Sequence, residues 1–276
     1  MLKSLMDQII KSSASNTRKT KAAFNTSLLL VFLLLISFSL HSCQTPEVVI
    51  KDIEVVDGDT LRIQGTTVRI IGIDTPETYS GSSKPVGEFG TDAKNFLYYF
   101  VSRFEIVIEP KGKDDYGRTL AYVFGKDNQG NKILYEASVT ELGYARPLFY
   151  SENYVLGYGQ QIINAYKRAY ESRRGIFSKW ESAPKITKNT AWPNYVGKIV
   201  WLEMDVSNVY YSSRTWYIIS DFALVKIRDE EYNRIFAGYN LYNLRNKKVK
   251  FYGELWNDGG KPTIMLRAPW EIVEVN

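Results

Sequence analysis

One cysteine and one histidine occur in 276 residues, at Cys43 and His41. Everything downstream must therefore fold without disulfides and without zinc sites built from Cys and His. If the chain is cleaved before Cys43 and that thiol is acylated, no histidine or free thiol remains, which excludes Ser-His and Cys-His nucleophile pairs. What remains for chemistry is carboxylates, lysine, arginine, tyrosine or a metal bound through oxygen.

Lys3, Lys11, Arg18, Lys19 and Lys21 precede an apolar run from Ser27 to Leu40, which closes in Leu40-His41-Ser42-Cys43. A basic start, a short apolar stretch and small residues at its end describe an export signal. The run is shorter than the roughly 20 residues a spanning helix wants. Leu-x-Ser-Cys resembles the lipobox of bacterial lipoproteins. That resemblance implies a signal peptide over 1–42, lipidation of Cys43, and anchoring to a bacterial membrane on the periplasmic side or the cell surface. An uncleaved membrane anchor is the alternative. The formal charge of +5 comes mostly from this leader, because five of the 35 basic and one of the 30 acidic residues lie within it. A case for nucleic-acid binding must therefore rest on local arrangement rather than on net charge.

The periodicity predicts two domains, 43–182 and 195–276, joined by a Pro-containing linker at 183–194. In the first, Val48 to Val56, Thr60 to Ile63, Thr67 to Ile73, Phe104 to Glu109 and Thr119 to Phe124 read as strands. Asp57-Gly58 and Gln64-Gly65 supply the turns. Gly87 to Ser102, Ile133 to Leu142 and Tyr154 to Arg174 read as helices. In the second, Val196 to Met204, Thr215 to Ile219, Ala223 to Ile227, Lys248 to Trp256 and Thr263 to Leu266 read as strands. A helix is expected at Asp229 to Phe236, with Asp229 as its cap. The class is mainly β with helices (α+β), and five strands with one helix in the second part suggest a smaller OB-like β-barrel.

Three blocks carry the chemistry: Asp57-Gly58-Asp59-Thr60 followed by Arg69, then Asp74-Thr75-Pro76-Glu77, then Tyr116-Gly117-Arg118. Taken singly, the first is an ordinary hairpin turn, Glu77 a solvated loop acid, and each arginine a surface ion-pair residue. Taken together, the carboxylates suit a hard metal ion and a water-activating base, while the arginine forks suit a phosphate. Their order and residue types resemble the staphylococcal nuclease (thermonuclease) family. The likeness continues through Gly87-Glu88-Phe89-Gly90-Thr91-Asp92-Ala93, Leu120-Ala121-Tyr122-Val123 and Glu136-Ala137 to Gly175-Ile176-Phe177, about half of the chain.

The resemblance implies a five-stranded OB-type barrel with three helices. It also implies Ca²⁺ held by Asp59, Asp74 and the carbonyl of Thr75. Glu77 would orient or deprotonate the attacking water, and Arg69 and Arg118 would clamp the phosphate. Tyr116 would contact a terminal phosphate, and either Phe149 or Tyr150 would stack on a base, simple packing being the alternative for that pair. Two departures stand out. Asp115 occupies a position where the family often has lysine, and the loop Tyr79 to Val86 holds only Lys84 as a cation.

Beyond residue 195, Trp201, Trp216, Trp256 and Trp270 accompany the basic run Lys247-Lys248-Val249-Lys250. Aromatics beside cations suit single-stranded nucleic acid, but an aromatic core with lysines guarding an edge strand is the reading favoured, and a wall-binding or protein-binding module is a further alternative. The expected activity is a calcium-dependent endonuclease acting on DNA and/or RNA outside the cytoplasm and leaving 3′-phosphate ends. A non-catalytic binding module on the same scaffold and an anchored structural protein are the alternatives. No protein partner is inferred.

Overall fold

The computed structural model describes residues 52–79 and 85–275. The leader, Cys43, the start of the Val48 to Val56 strand and Lys84 lie outside them. Strands β1 (Ile53–Asp57), β2 (Thr60–Ile63) and β3 (Thr66–Ile70) form an antiparallel meander. The segment expected as one strand, Thr67 to Ile73, is instead two. Gly72 sits at φ +84°, with Ile162 pressed to 3.0 Å of where its Cβ would lie, so the chain turns there. A side chain at this left-handed position would be strained. The second piece is β4 (Gly72–Asp74).

Helix α1 (Gly90–Arg103) follows, burying Ala93, Phe96, Leu97 and Phe100 at the three- and four-residue spacing of one helical face. Next come β5 (Glu105–Lys113), β6 (Thr119–Lys126) and β7 (Lys132–Leu134). Helix α2 (Tyr135–Glu141) begins only after β7, because Ile133 and Leu134 pair with β6 rather than opening the helix as expected. Strand β8 (Arg146–Leu148) pairs with β4, and helix α3 (Leu156–Glu171) packs behind it. The first sheet runs β1-β2-β3-β6-β5 with β7 on β6. Among the described residues this ladder is open, β1 and β5 being its ends.

The remaining strands are β9 (Lys185–Ile186), β10 (Ile199–Asp205), β11 (Asn208–Ser212), β12 (Thr215–Ile219) and β13 (Leu224–Arg228). Helix α4 (Asp229–Ile235) separates them from β14 (Lys248–Asp258), β15 (Lys261–Met265) and β16 (Ile272–Glu274). They form one sheet in the order β11-β12-β13-β15-β14-β10-β9, with β16 on β14. The fold is thus mixed α+β, with four α-helices among the described residues.

Two expectations fail here. The lysine run is not on an edge: β14 pairs with β10 on one side and with β15 and β16 on the other. Its lysines are balanced locally instead, Lys247 by Glu274 and Lys248 by Glu203. Asp229 is the first helical residue rather than the cap, a place that Arg228 holds with no side-chain hydrogen bond.

Helix α3 and the turn after it meet the second sheet through aromatic packing. Tyr166 and Phe177 from the first half bury against Ile199, Tyr252 and Ala268 from the second, with Trp180, Trp201 and Trp270 at the margin. The Tyr252 hydroxyl donates to the Ile176 carbonyl at 2.5 Å, and the Trp201 indole N–H to the Trp180 carbonyl at 2.9 Å. Each ring buried this way contributes on the order of 2–3 kcal/mol. This contact fixes the second sheet against helix α3 and the turn that follows it.

Candidate active site

The β1–β2 turn presents Asp57 and Asp59. Gly58 between them is packed so closely that an added Cβ would lie 2.6 Å from the Ala93 Cβ and 3.0 Å from the Thr75 hydroxyl. Only glycine lets this turn rest on helix α1 and on the Thr75 loop together. The buried Tyr135 hydroxyl secures the turn by donating to the Gly58 carbonyl at 2.6 Å. Asp59 then accepts from the Thr75 backbone N–H at 3.1 Å, tying the first acidic block to the second.

Register places the arginines. Val68 and Ile70 point into the core, so alternation turns Arg69 to the other face. Arg69 pairs with Thr60 in β2, which brings its side chain to the Asp59 end of the hairpin. Its guanidinium forms an ion pair with Asp59 and lies 3.7 Å from Asp74, with the side chain only 14% exposed. Burial opposes its charge, but Asp59 and Asp74 hold Arg69 above its ordinary pKa. On the other side of β3, β6 pairs in parallel from Val68↔Thr119, so Arg118 sits at the entrance beside Arg69.

Arg118 is oriented by its own turn. Asp114 accepts from the backbone N–H groups of Tyr116 and Arg118, and from the Arg118 Nε at 2.7 Å. Burial pushes the Asp114 carboxyl up, but its bonds to Arg118 bring it below the usual carboxylate value. Tyr116 is 86% exposed, with the Arg118 guanidinium 5.5 Å from its ring centroid. Phe149 is 1% exposed and packs edge-on against Tyr154, whereas Tyr150 is 44% exposed. Of the two stacking candidates, only Tyr150 offers a ring face to a ligand.

Asp57, Asp59, Arg69, Asp74, Glu77, Tyr116, Arg118 and Tyr150 together line one open cavity of about 670 Å³. Burial raises the Asp57 carboxyl, helped by the charge of Asp59. Among the described residues no group of three or more His, Cys, Asp or Glu is clustered as a metal cage. Asp59 and Asp74 are nonetheless drawn to a single guanidinium, and the Thr75 backbone is bonded to Asp59. The donor set is oxygen throughout, which fits a hard cation such as Ca²⁺ and not zinc or copper.

The second half of the chain supplies what sequence reasoning missed. Arg228, Trp256, Met265 and Arg267 line the same cavity. Arg267 Nη2 donates to Asp74 at 3.2 Å, and its Nη1 lies 3.6 Å from Glu231. The turn that carries Arg267 is pinned by Glu271, which accepts from the Arg267 and Ala268 backbone N–H groups and from the Tyr166 hydroxyl. Arg146 stands opposite Asp74 in the β4–β8 register and bonds Glu254 of β14 at 2.6 Å. Asp74 is therefore held by three arginines, two of them nearly buried. Lone arginines, Arg146 in a short strand and Arg267 in a turn, carried no local signal of this.

Comparison with known proteins bears on the same region. The family model described as "Staphylococcal nuclease homologue" matches residues 67–179. A thermonuclease of Staphylococcus hyicus is 36% identical over 135 residues, covering 46% of this chain and 75% of that protein. A thermonuclease of Staphylococcus intermedius is 35% identical over 131 residues, covering 45% and 73%. Endonuclease YhcR of Bacillus subtilis is 28% identical over 138 residues, which is 45% of this chain and 11% of that protein.

Proposed function

The chain belongs to the staphylococcal nuclease family and is a nuclease, and from that premise we propose that it is a calcium-dependent endonuclease acting outside the cytoplasm. The observation that carries the reading is the convergence of Glu77, Arg69 and Arg118 on one cavity with Asp59 and Asp74. A module that merely bound nucleic acid would not need a half-buried glutamate beside two guanidiniums. We read the β1–β2–β3 meander, with β6 added in parallel to β3, as the OB-type barrel of the family, and the second sheet as a smaller OB-like unit.

Asp59, Asp74 and the Thr75 carbonyl would hold the calcium ion. When bound, it supplies positive charge that polarises the scissile phosphate. Glu77 takes the proton of a water whose oxygen attacks phosphorus in line. The new O–P bond forms as the P–O5′ bond breaks, and the departing oxygen takes a proton from solvent, leaving a 3′-phosphate on one product and a 5′-hydroxyl on the other. Arg69 and Arg118 bind the equatorial oxygens, where charge accumulates in the transition state. Arg118, the more exposed of the two, is placed to assist the departing oxygen. Tyr116 contacts a terminal phosphate and Tyr150 stacks on a base.

The test is incubation of purified protein with plasmid, single-stranded DNA and RNA, with calcium or with chelator. Metal-dependent cutting that Glu77→Gln, Arg69→Gly or Arg118→Gly abolishes would support the assignment. Uncut substrates from a folded protein would refute it. Export and lipid anchoring are part of the same proposal, supported by the basic-apolar leader and the Leu40-His41-Ser42-Cys43 block. A mature N-terminal peptide beginning at any residue other than a lipidated Cys43 would sink that part.

A further inference from the structure

The family model ends at residue 179, yet part of the cavity wall comes from beyond it. Arg267 is committed to Asp74 and Glu231. Arg228, at the end of β13, is differently placed. Its guanidinium lies 4.4 Å from the centroid of the Tyr150 ring. Its Nη2 donates to the Phe149 carbonyl at 3.0 Å, and its Nη1 lies 3.5 Å from Glu231. A guanidinium carries five N–H groups, and these two contacts leave most of them for something else. Glu231 is shared with Arg267, so one buried carboxylate serves two arginines. The Arg228 charge is thus incompletely neutralised, and the residue opens onto the cavity that holds Arg69 and Arg118.

We infer that Arg228 is the phosphate-binding group of an additional nucleotide subsite, which the second sheet builds against Tyr150 for the nucleotide next to the one cut in single-stranded nucleic acid. The inference rests on the nuclease reading of the cavity. One face of Tyr150 is already covered by the guanidinium, which leaves the opposite face for a base. A ring backed by a cation in this way can stack on any base. Trp256 and Met265 supply apolar wall to the same cavity. The scissile group meets Arg69 and Arg118, while the adjacent phosphate meets Arg228. The second sheet thereby lengthens the stretch of substrate that is gripped.

Arg228→Gln tests this, because the amide keeps a donor for the Phe149 carbonyl and removes the charge. Binding of fluorescein-labelled octathymidylate is read by anisotropy in chelator over a series of salt concentrations, and cleavage of the octanucleotide is compared with that of a dinucleotide in calcium. The expected results are an octanucleotide Kd raised roughly tenfold and a salt slope of log K reduced by about 0.7, the value for one phosphate contact on a single strand. The preference for octanucleotide over dinucleotide in kcat/KM falls by a similar factor. An unchanged slope, or equal losses on both substrates, would make Arg228 a strut between β13 and Phe149 and overturn the inference. If Arg228→Gln fails to give a cooperative melt, Arg228→Lys takes its place: it should keep the slope while weakening octanucleotide binding severalfold, and wild-type binding would refute the fork's role. Because Kd and slope are read without turnover, failure of the wild-type protein to cut would count against the hydrolase reading alone.

Discussion

Replacing Glu254 by glutamine would hardly change the shape of β14, but it would remove a buried negative charge opposite Arg146. The two side chains are each 3% exposed and 2.6 Å apart. Arg146 Nε and Nη1 have no hydrogen-bond partner, so Glu254 carries much of what stabilises the buried guanidinium, with Asp74 a further 3.9 Å away. Burial opposes the Arg146 charge, and Glu254 and then Asp74 hold it above its ordinary pKa. At an effective dielectric near 20, the attraction lost across 2.6 Å is about 6 kcal/mol before relaxation. Broken buried pairs cost about 3–5 kcal/mol net, a large share of the roughly 5–15 kcal/mol that holds a domain folded. For a unit of this size the melting temperature should fall by roughly 6–20 °C. Urea titration and thermal circular dichroism of Glu254→Gln, beside the apolar pair Arg146→Met with Glu254→Leu, would measure it. The double replacement should recover most of the loss, since it leaves no orphan charge. If the single variant lost less than about 1 kcal/mol, or if the double were no more stable than the single, the reasoning would be wrong.

Arg69→Lys should lower kcat by about 10²–10³ with little change in melting temperature, because a point charge cannot span Asp59 and the phosphate as a fork does; single-turnover cleavage would show it. Gly58→Ala forces a methyl to within 2.6 Å of the Ala93 Cβ, and should cost about 1–3 kcal/mol while weakening calcium binding followed by calorimetry. Burial holds the Glu136 carboxyl well above its ordinary value of 4.5, and its Oε2 has no hydrogen-bond partner. The protonated form is therefore favoured on folding. Its stabilisation is complete below 4.5 and is lost as pH rises toward the raised value. Glu136→Gln should consequently raise the melting temperature more at neutral pH than at acid pH, and a variant with the wild-type pH profile would contradict this.

The carboxylate blocks that line the cavity stood out in the sequence because each is local, although it took their resemblance to a family to join them. Asp57-Gly58-Asp59 is a turn by its own chemistry, and Asp74-Thr75-Pro76-Glu77 begins at the last residue of β4, in a stretch where periodicity had suggested one longer strand. Arg69 could be assigned a face from the alternation of Val68 and Ile70. Arg146, Arg228 and Arg267 could not, since what they do depends on strands that pair over long separations. Strand β8 holds three residues, one of them Pro147, and so gave no pattern. Strand β11 escaped because Val209 is its one buried residue. The lysine run looked like an edge because charge on a strand is usually solvated, whereas here carboxylates on neighbouring strands absorb it.

Asp74 and the guanidinium of Arg267 that grips it are 193 positions apart in the chain. A ribosome adding about 5–20 residues per second requires roughly 10–40 s to cover that interval. Throughout it, the emerging polypeptide carries an Asp74 carboxylate that lacks one of the three arginines restraining it in the folded chain. The restraint on Asp74 is thus completed long after its own strand has been translated, a delay set by the order of residues along the chain.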